Sequence, residues 1–198
     1  AVNAASLFSG MVMIGLTTFL PVFVQGVMQR PPLVAGFALS AMVLGWPIGA
    51  TCSPYFCKRF GVRTMLRAGS LLVPLGALVF VFLGPETPPL AAGLGSAVVG
   101  LGMGLSSSAS IVLIQEIVAW SERGSVTASY LFARTLGSTF GATVFGAVLN
   151  AGLIRSGVGA VTPEDLRRLL EGGAAAHPEL QAALEGSLHV TFVAMFAV

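Results

Sequence analysis

The feature that most constrains the fold is a pair of long runs without any charged side chain, residues 1–29 and 33–57. A membrane-spanning helix needs about 20 consecutive apolar residues, and each run is long enough to supply one. Charged residues make up only 9% of the 198 residues, against about 25% in an ordinary soluble domain. So few charges cannot cover a surface in water, and the sequence therefore predicts an all-α bundle embedded in lipid.

The same pattern predicts five complete spans and the start of a sixth. The predicted spans cover about residues 4–28, 33–57, 65–83, 90–118, 125–153 and, truncated, 188–198. Proline-rich turns separate several of them, because two consecutive prolines cannot continue a helix. Since the chain starts without a methionine and stops within an apolar run, we expect it to be a fragment.

Residues 155–187 are polar and predict a long extramembrane loop. Thr162 followed by Pro163 is typical of a helix start, and Pro178 begins a second short helix that is expected to end near Leu184.

A cluster of basic residues lies between the second and third spans. It consists of Lys58, Arg59, Arg63 and Arg67. Basic residues concentrate at the cytoplasmic ends of spans. This cluster and the loop 120–124 are therefore expected on the cytoplasmic side of the cell (inner) membrane, with the loop 155–187 extracytoplasmic. The predicted protein crosses the membrane several times.

Two stripes of small residues recur at intervals of four in the fourth and fifth spans. They are Ser96, Gly100, Gly104 and Ser108 in the fourth, and Ser125, Ser129, Ala133, Gly137 and Gly141 in the fifth. Small residues on one helix face allow a second helix to approach closely. The stripes predict tight helix packing within the bundle.

The basic cluster resembles the signature loop of the major facilitator superfamily, G-x-x-x-D-R/K-x-G-x-R/K-R/K. Arg59, Gly61 and Arg63 match that motif. The sequence departs from it at Pro54, Lys58 and Thr64, which replace a glycine, the aspartate and the last basic residue. The resemblance implies that Lys58, Arg59, Gly61 and Arg63 form a gating loop. The lysine in place of aspartate removes the acid that would cap a neighbouring helix.

Further residues resemble the fourteen-span drug:proton antiporters of this superfamily. They are Leu20-Pro21, Gln25-Gly26, Pro32, Ala35-Gly36, Glu122-Arg123-Gly124, Arg134, Gly137 and Gly141. The resemblance covers essentially the whole chain, 1–198, as the C-terminal transmembrane domain with spans nine to fourteen. It implies a secondary transporter that exports hydrophobic or cationic small molecules by proton antiport and alternating access. The implied partners are the lipid bilayer, an N-terminal transmembrane half and a small-molecule substrate. A proton gradient would be the energy source, without a cofactor.

Three polar residues within or near the spans are candidates for function. Arg134 lies ten residues beyond Gly124, about 15 Å along a helix, where a charge is costly unless it is paired or hydrated. It either faces a central cavity or holds a gate, or its side chain snorkels to the surface. Glu116 is expected to form a structural ion pair with the basic cluster, Arg123 or Arg134, and proton carriage is the alternative. Gln25 is a candidate for the substrate cavity or for a bond between helices.

Several other classes of function are disfavoured. The basic residues do not share one polar face, so no nucleic-acid partner is expected. Cys52 and Cys57 lack neighbouring ligands, so no metal site is expected. An intramembrane enzyme would need paired acids, a histidine cluster or a serine–lysine pair in the spans, so no catalytic residue is assigned. A non-transporting membrane scaffold or channel, and a superfamily transporter of another substrate class, remain as alternatives.

Overall fold

The computed structural model of the protein describes residues 2–156 and 178–197. These residues form six α-helices and no strand, so the predicted all-α fold class is confirmed. The helices are α1 (Val2–Val22), α2 (Pro32–Phe60), α3 (Val62–Val81), α4 (Pro89–Ile117), α5 (Arg123–Arg155) and α6 (Pro178–Ala197). A π-helical segment, Phe23–Val27, extends α1, and a 3₁₀ turn, Trp120–Glu122, precedes α5.

The first five helices are long and apolar enough to cross a membrane. Their ends lie within three residues of the bounds that the sequence predicts, with the π-helical segment counted in the first span. Prolines are the main reason for this agreement. Pro32 and Pro89 begin α2 and α4 at first-turn positions, where the missing N–H has no intrahelical partner to lose.

The end of the chain differs from the sequence expectation. The sequence predicts a loop through residue 187 and a separate span from residue 188. The structure instead has a single helix, α6, that runs without a break from Pro178 to Ala197. Gly186 does not break this helix, and the Ser187 hydroxyl donates a hydrogen bond to the carbonyl of Ala183. The predicted helix after Thr162 lies outside the described residues.

Glycine contacts set the packing of two helix pairs, α2 with α4 and α1 with α5. A Cβ atom at Gly100 or Gly104 of α4 would collide with backbone carbonyls of α2, and one at Gly137 of α5 would collide with the backbone of α1. Gly141 lies against Met11 of α1 in the same way. Ser96 is fully buried, whereas Ser108 is only partly buried. The small-residue stripes therefore lie where α4 meets α2 and where α5 meets α1.

An aromatic cluster joins α6 to α3 and to the π-helical segment after α1. The ring of Phe192 in α6 lies 5.5 Å from that of Phe23 and 5.8 Å from that of Phe80 in α3, measured between centroids. All three side chains are almost completely buried. Ring pairs at such distances add about 0.5–1.5 kcal/mol beyond the burial of their area. The cluster anchors α6 to the other helices.

Candidate transport residues

Arg134 lies about midway along the membrane-spanning part of the bundle and contacts two other helices. It follows Arg123, the first residue of α5, by eleven positions, which corresponds to about 16 Å along the helix axis. Its guanidinium carbon lies 4.0 Å from the ring centroid of Trp46 in α2. One terminal nitrogen lies 3.3 Å from the sulfur of Met13 in α1. This arginine therefore links α1, α2 and α5, and its partners Met13 and Trp46 lie near the middle of their own helices.

The contacts of Arg134 offset only part of the cost of its charge. A charged residue at the centre of a membrane helix costs at least about 2.5–3.5 kcal/mol. A cation–π contact returns about 0.5–2 kcal/mol, and a thioether sulfur is a weak hydrogen-bond acceptor. Arg134 is half-buried. These two contacts therefore do not account for the whole cost of a charge at such a position.

Glu116 does not form the ion pair that the sequence predicts, among the residues that the structure describes. Its side chain is exposed, one residue before the end of α4. Arg123 instead donates hydrogen bonds to the carbonyls of Val118 and Gln115, and its guanidinium lies 5.2 Å from the ring centroid of Trp120. Arg123 thus finds its hydrogen-bond acceptors among the carbonyls at the end of α4. The carboxylate of Glu116 is exposed and needs no ionic partner.

Gln25 lies within the π-helical segment, Phe23–Val27, and is half-buried. The segment follows Pro21, whose ring nitrogen cannot donate to the preceding turn. The amide N–H of Met28 then bonds to the carbonyl of Phe23, five residues back. A local π-helix re-aims side chains and is frequent at functional sites. The structure does not bring Gln25 to Arg134, so the two candidate residues belong to different parts of the bundle.

The basic cluster forms a sharp helix-to-helix turn at Gly61. This residue ends α2 and precedes α3, with φ of +85° and ψ of 148°, a backbone conformation open to glycine alone. Its amide donates to the carbonyl of Cys57. Lys58, Arg59 and Arg63 are all exposed around the turn. The glycine of the motif thus serves the backbone, while the basic side chains remain available to other groups.

Trp46 is the functional candidate that sequence reasoning missed. The dipeptide Trp46-Pro47 reads as a helix bend, and nothing in a single sequence pairs it with Arg134, which lies 88 positions later. The available signal was chemical. A tryptophan at mid-span cannot belong to the interfacial belt, so a buried or cationic partner for it is expected.

The fold and these residues define a class, a multi-pass helical membrane protein with polar and basic groups at mid-membrane and at one loop. Within that class, residues 2–142 match the family model of the Major Facilitator Superfamily. The chain belongs to this superfamily, whose members are transporters rather than enzymes.

Named relatives point to transporters of more than one kind. The chain is 33% identical over 149 residues to multidrug transporter protein MdtP of Bacillus subtilis, which covers 75% of the chain and 28% of that protein. It is 28% identical over 144 residues, 73% of the chain and 28% of the relative, to multidrug resistance protein 3 of the same organism. An arabinose-proton symporter, also from Bacillus subtilis, is 29% identical over 135 residues, 68% of the chain and 27% of the relative. The chain thus spans little more than a quarter of the length of these relatives.

Proposed function

We propose that this chain is the C-terminal half of a fourteen-span drug:proton antiporter that exports hydrophobic or cationic small molecules by alternating access. The proposal includes an N-terminal half, a proton gradient as the energy source and a location in the cell membrane. The basic turn at Gly61 lies on its cytoplasmic side, because positive charge concentrates there. The likeness to two proteins named for multidrug transport or resistance supports the substrate class.

The placement of Arg134 is the observation that carries this proposal. A half-buried cation near mid-membrane, stacked on Trp46, is expected where a bundle borders a hydrated pathway. In secondary transporters such a pathway runs between two pseudo-symmetric halves. Arg134 then needs a carboxylate or water from the other half. No acidic residue occupies the middle of the five described helices that are long and apolar enough to span a membrane, and Glu185 lies in α6. In this proposal the group that carries the coupled proton belongs to the other half.

The arabinose-proton symporter among the relatives supports a second candidate function, sugar transport coupled to protons. The two functions differ in the chemistry of the substrate. A sugar needs many hydrogen-bonding side chains, whereas a hydrophobic cation needs apolar and aromatic walls. The lone aromatic–arginine contact at mid-membrane and the apolar composition of the helices favour the hydrophobic substrate.

The test uses the full-length transporter in proteoliposomes with an imposed pH gradient. Ethidium, a hydrophobic cation, is expected to accumulate in the acidic lumen of inside-out vesicles, and radiolabelled arabinose is not. The variant Arg134→Gln removes the positive charge and is expected to reduce the initial rate of ethidium flux at least about tenfold. Such a change corresponds to about 1.4 kcal/mol in the free energy of the rate-limiting step. Arg123→Gln, at the exposed end of α5, is the matched control and keeps most of the rate.

Arabinose flux without ethidium flux would establish the second candidate instead. Ethidium flux that ignores the pH gradient would contradict proton coupling. If Arg134→Gln and Arg123→Gln transported equally well, the role given to Arg134 would be wrong, even where the substrate class held. Residues 1–198 alone are expected to show no proton-driven flux, because they supply one wall of the pathway.

A further inference from the structure

A patch of basic and aromatic side chains covers the last two turns of α2 and the first turn of α3. This basic–aromatic patch consists of Tyr55, Phe56, Lys58, Arg59, Phe60 and Arg63. All six residues are exposed, Tyr55 to 65% and Phe60 to 53%. The charge-free run 33–57 ends within the patch, so the patch lies at the level where a span leaves the hydrocarbon core and reaches the lipid headgroups.

The aromatic rings of the patch form a continuous row beside its positive charge. The ring centroids of Tyr55 and Phe56 are 5.6 Å apart, and those of Phe56 and Phe60 are 6.3 Å apart. The guanidinium carbon of Arg59 lies 5.6 Å from the centroid of the Phe60 ring. A cation held over one ring of this row places apolar surface and positive charge next to each other. A ligand with an apolar body and an anionic head matches this arrangement.

The positive charge of the patch has no acidic partner among the described residues. Lys58, Arg59 and Arg63 are exposed and form no ion pair in that part of the chain. Residues 1–85 contain no aspartate or glutamate. The acids at the same end of the bundle, Glu116 and Glu122, belong to the end of α4 and to the turn before α5. Like charges on one short turn repel one another, and an anion between them relieves that repulsion.

Lys58 strengthens this charge pattern. The signature motif has an aspartate at its position, whereas this chain has a lysine. Arg59 and Arg63 are the other charged residues of the segment 55–63, so its formal charge is +3 with the lysine and would be +1 with the aspartate. An acid in the middle of the turn would repel an anionic ligand. This departure from the motif therefore favours one.

We infer that the basic–aromatic patch binds an anionic phospholipid. Lys58, Arg59 and Arg63 hold its phosphate, and its glycerol and upper acyl chain lie along the rings of Phe56 and Phe60. Basic groups at the end of a span attract anionic lipids, whereas a zwitterionic lipid carries its own cation and brings no net charge. A free phosphate would use the cations alone and leave the exposed rings without a partner. The site does not depend on the exported substrate or on the coupled ion, and so it goes beyond the proposed function.

Native mass spectrometry of the full-length protein counts the lipids that remain bound to it. The protein is purified in a neutral detergent, freed of copurified lipid and titrated in parallel with phosphatidylglycerol, which is anionic, and with phosphatidylcholine, which is zwitterionic. At least one phosphatidylglycerol is expected to bind saturably, and at a lower concentration than phosphatidylcholine. Equal binding of the two lipids would overturn the inference, since the charge of the headgroup would then not matter.

Arg59→Gln removes one positive charge of the patch and keeps a long polar side chain. It is expected to weaken phosphatidylglycerol binding about fivefold, the usual contribution of one basic side chain near an anionic lipid surface. Arg59→Lys keeps the charge and is expected to retain most of the binding. Arg155→Gln is the matched control, because Arg155 is an exposed arginine at the other end of α5 from Arg123. An unchanged affinity in Arg59→Gln, or equal losses in Arg59→Gln and Arg155→Gln, would overturn the location of the site.

Two further measurements distinguish a bound lipid from a bound free anion. Phe60→Ala keeps every charge of the patch and is expected to weaken phosphatidylglycerol binding about two- to fivefold, because part of a ring face no longer contacts the lipid. Glycerophosphoglycerol carries the same phosphate without acyl chains and is expected not to displace the lipid at equal concentration. Displacement at equal concentration would show a simple anion site and refute the lipid. None of these measurements follows transport, so their failure leaves the proposed function untouched.

Discussion

A Cβ atom at Gly104 of α4 would collide with the backbone carbonyl oxygen of Trp46 in α2. The guanidinium of Arg134 in α5 lies over the ring of that same tryptophan, 4.0 Å from its centroid. Gly104, together with Gly100, thus permits the close approach of α2 to α4, and it contributes to the position of the aromatic ring that contacts Arg134. The packing stripe and the candidate transport residue, which appear independent in the sequence, form one physical unit.

Gly104→Ala is expected to destabilise the full-length protein by about 1–3 kcal/mol, the usual cost of overpacking a well-fitted contact. The added methyl group meets backbone atoms of α2, which have no rotamer to change, so the two helices must separate. A lower melting temperature of the detergent-solubilised protein measures this effect.

Gly36→Ala in α2 is the control for this substitution, because a Cβ atom there meets nothing within 4 Å. It is expected to be neutral or slightly stabilising, since alanine favours the helix over glycine by up to about 1 kcal/mol. Similar melting temperatures for the two variants would contradict the steric argument.

The contact between Arg134 and Trp46 predicts a measurable coupling energy. In a double-mutant cycle of Arg134→Gln and Trp46→Leu, the interaction term is expected to be about 1–2 kcal/mol, because the contact is half-buried and weakly screened. Unfolding of the full-length protein in increasing dodecyl sulfate gives the four free energies that the cycle requires.

A more exposed cation–π contact, between Arg123 and Trp120, serves as its comparison. Arg123 lies 5.2 Å from the ring centroid of Trp120, which is 83% exposed, in the short turn before α5. Water screens this pair, so the cycle of Arg123→Gln and Trp120→Leu is expected to give about 0.5 kcal/mol or less. An equal or larger coupling at the exposed pair would refute the importance of burial.

The sequence predicted the first five helices well because their limits are local. An apolar run ends at proline, glycine or charge, and each of these acts within a few residues. It misjudged the start of α6 because Glu185, Gly186 and His189 interrupt the apolar pattern. What holds this segment is non-local. Gln181 donates to the carbonyl of Val27, and the His189 ring bonds to that of Val81, contacts that no single sequence shows.

The candidate site was predictable only in part for the same reason. Arg134 stood out because a charge within an apolar run is costly wherever it points. Its partners Trp46 and Met13 come from other helices, and their pairing depends on helix rotations that the small-residue stripes constrain but do not determine. The stripes predicted which helix faces pack closely, but not the helices against which they pack.

Gly61→Ala tests the backbone of the basic turn. At φ of +85° a Cβ atom adds strain although nothing crowds it within 4 Å, so a cost of about 1–2 kcal/mol is expected. The readout is the melting temperature of the full-length protein. Gly124→Ala in the first turn of α5, which also has open space and no positive φ, is expected to leave that temperature unchanged or higher. Equal effects of the two substitutions would show that the motif glycine is not required by its conformation.

Ser96 and Ser53 give opposite predictions for the same substitution. Both side chains are completely buried. Ser53 donates a hydrogen bond to the carbonyl of Leu105, at 3.1 Å, so Ser53→Ala is expected to cost about 0.5–1.5 kcal/mol. The Ser96 hydroxyl has no partner among the described residues, so Ser96→Ala removes an unsatisfied polar group and is expected to be neutral or to stabilise the protein by up to about 1–3 kcal/mol.

Thermal unfolding of the two variants beside the wild type compares them directly. A loss of stability at Ser96 as large as that at Ser53 would mean that its hydroxyl has a partner in the full-length protein.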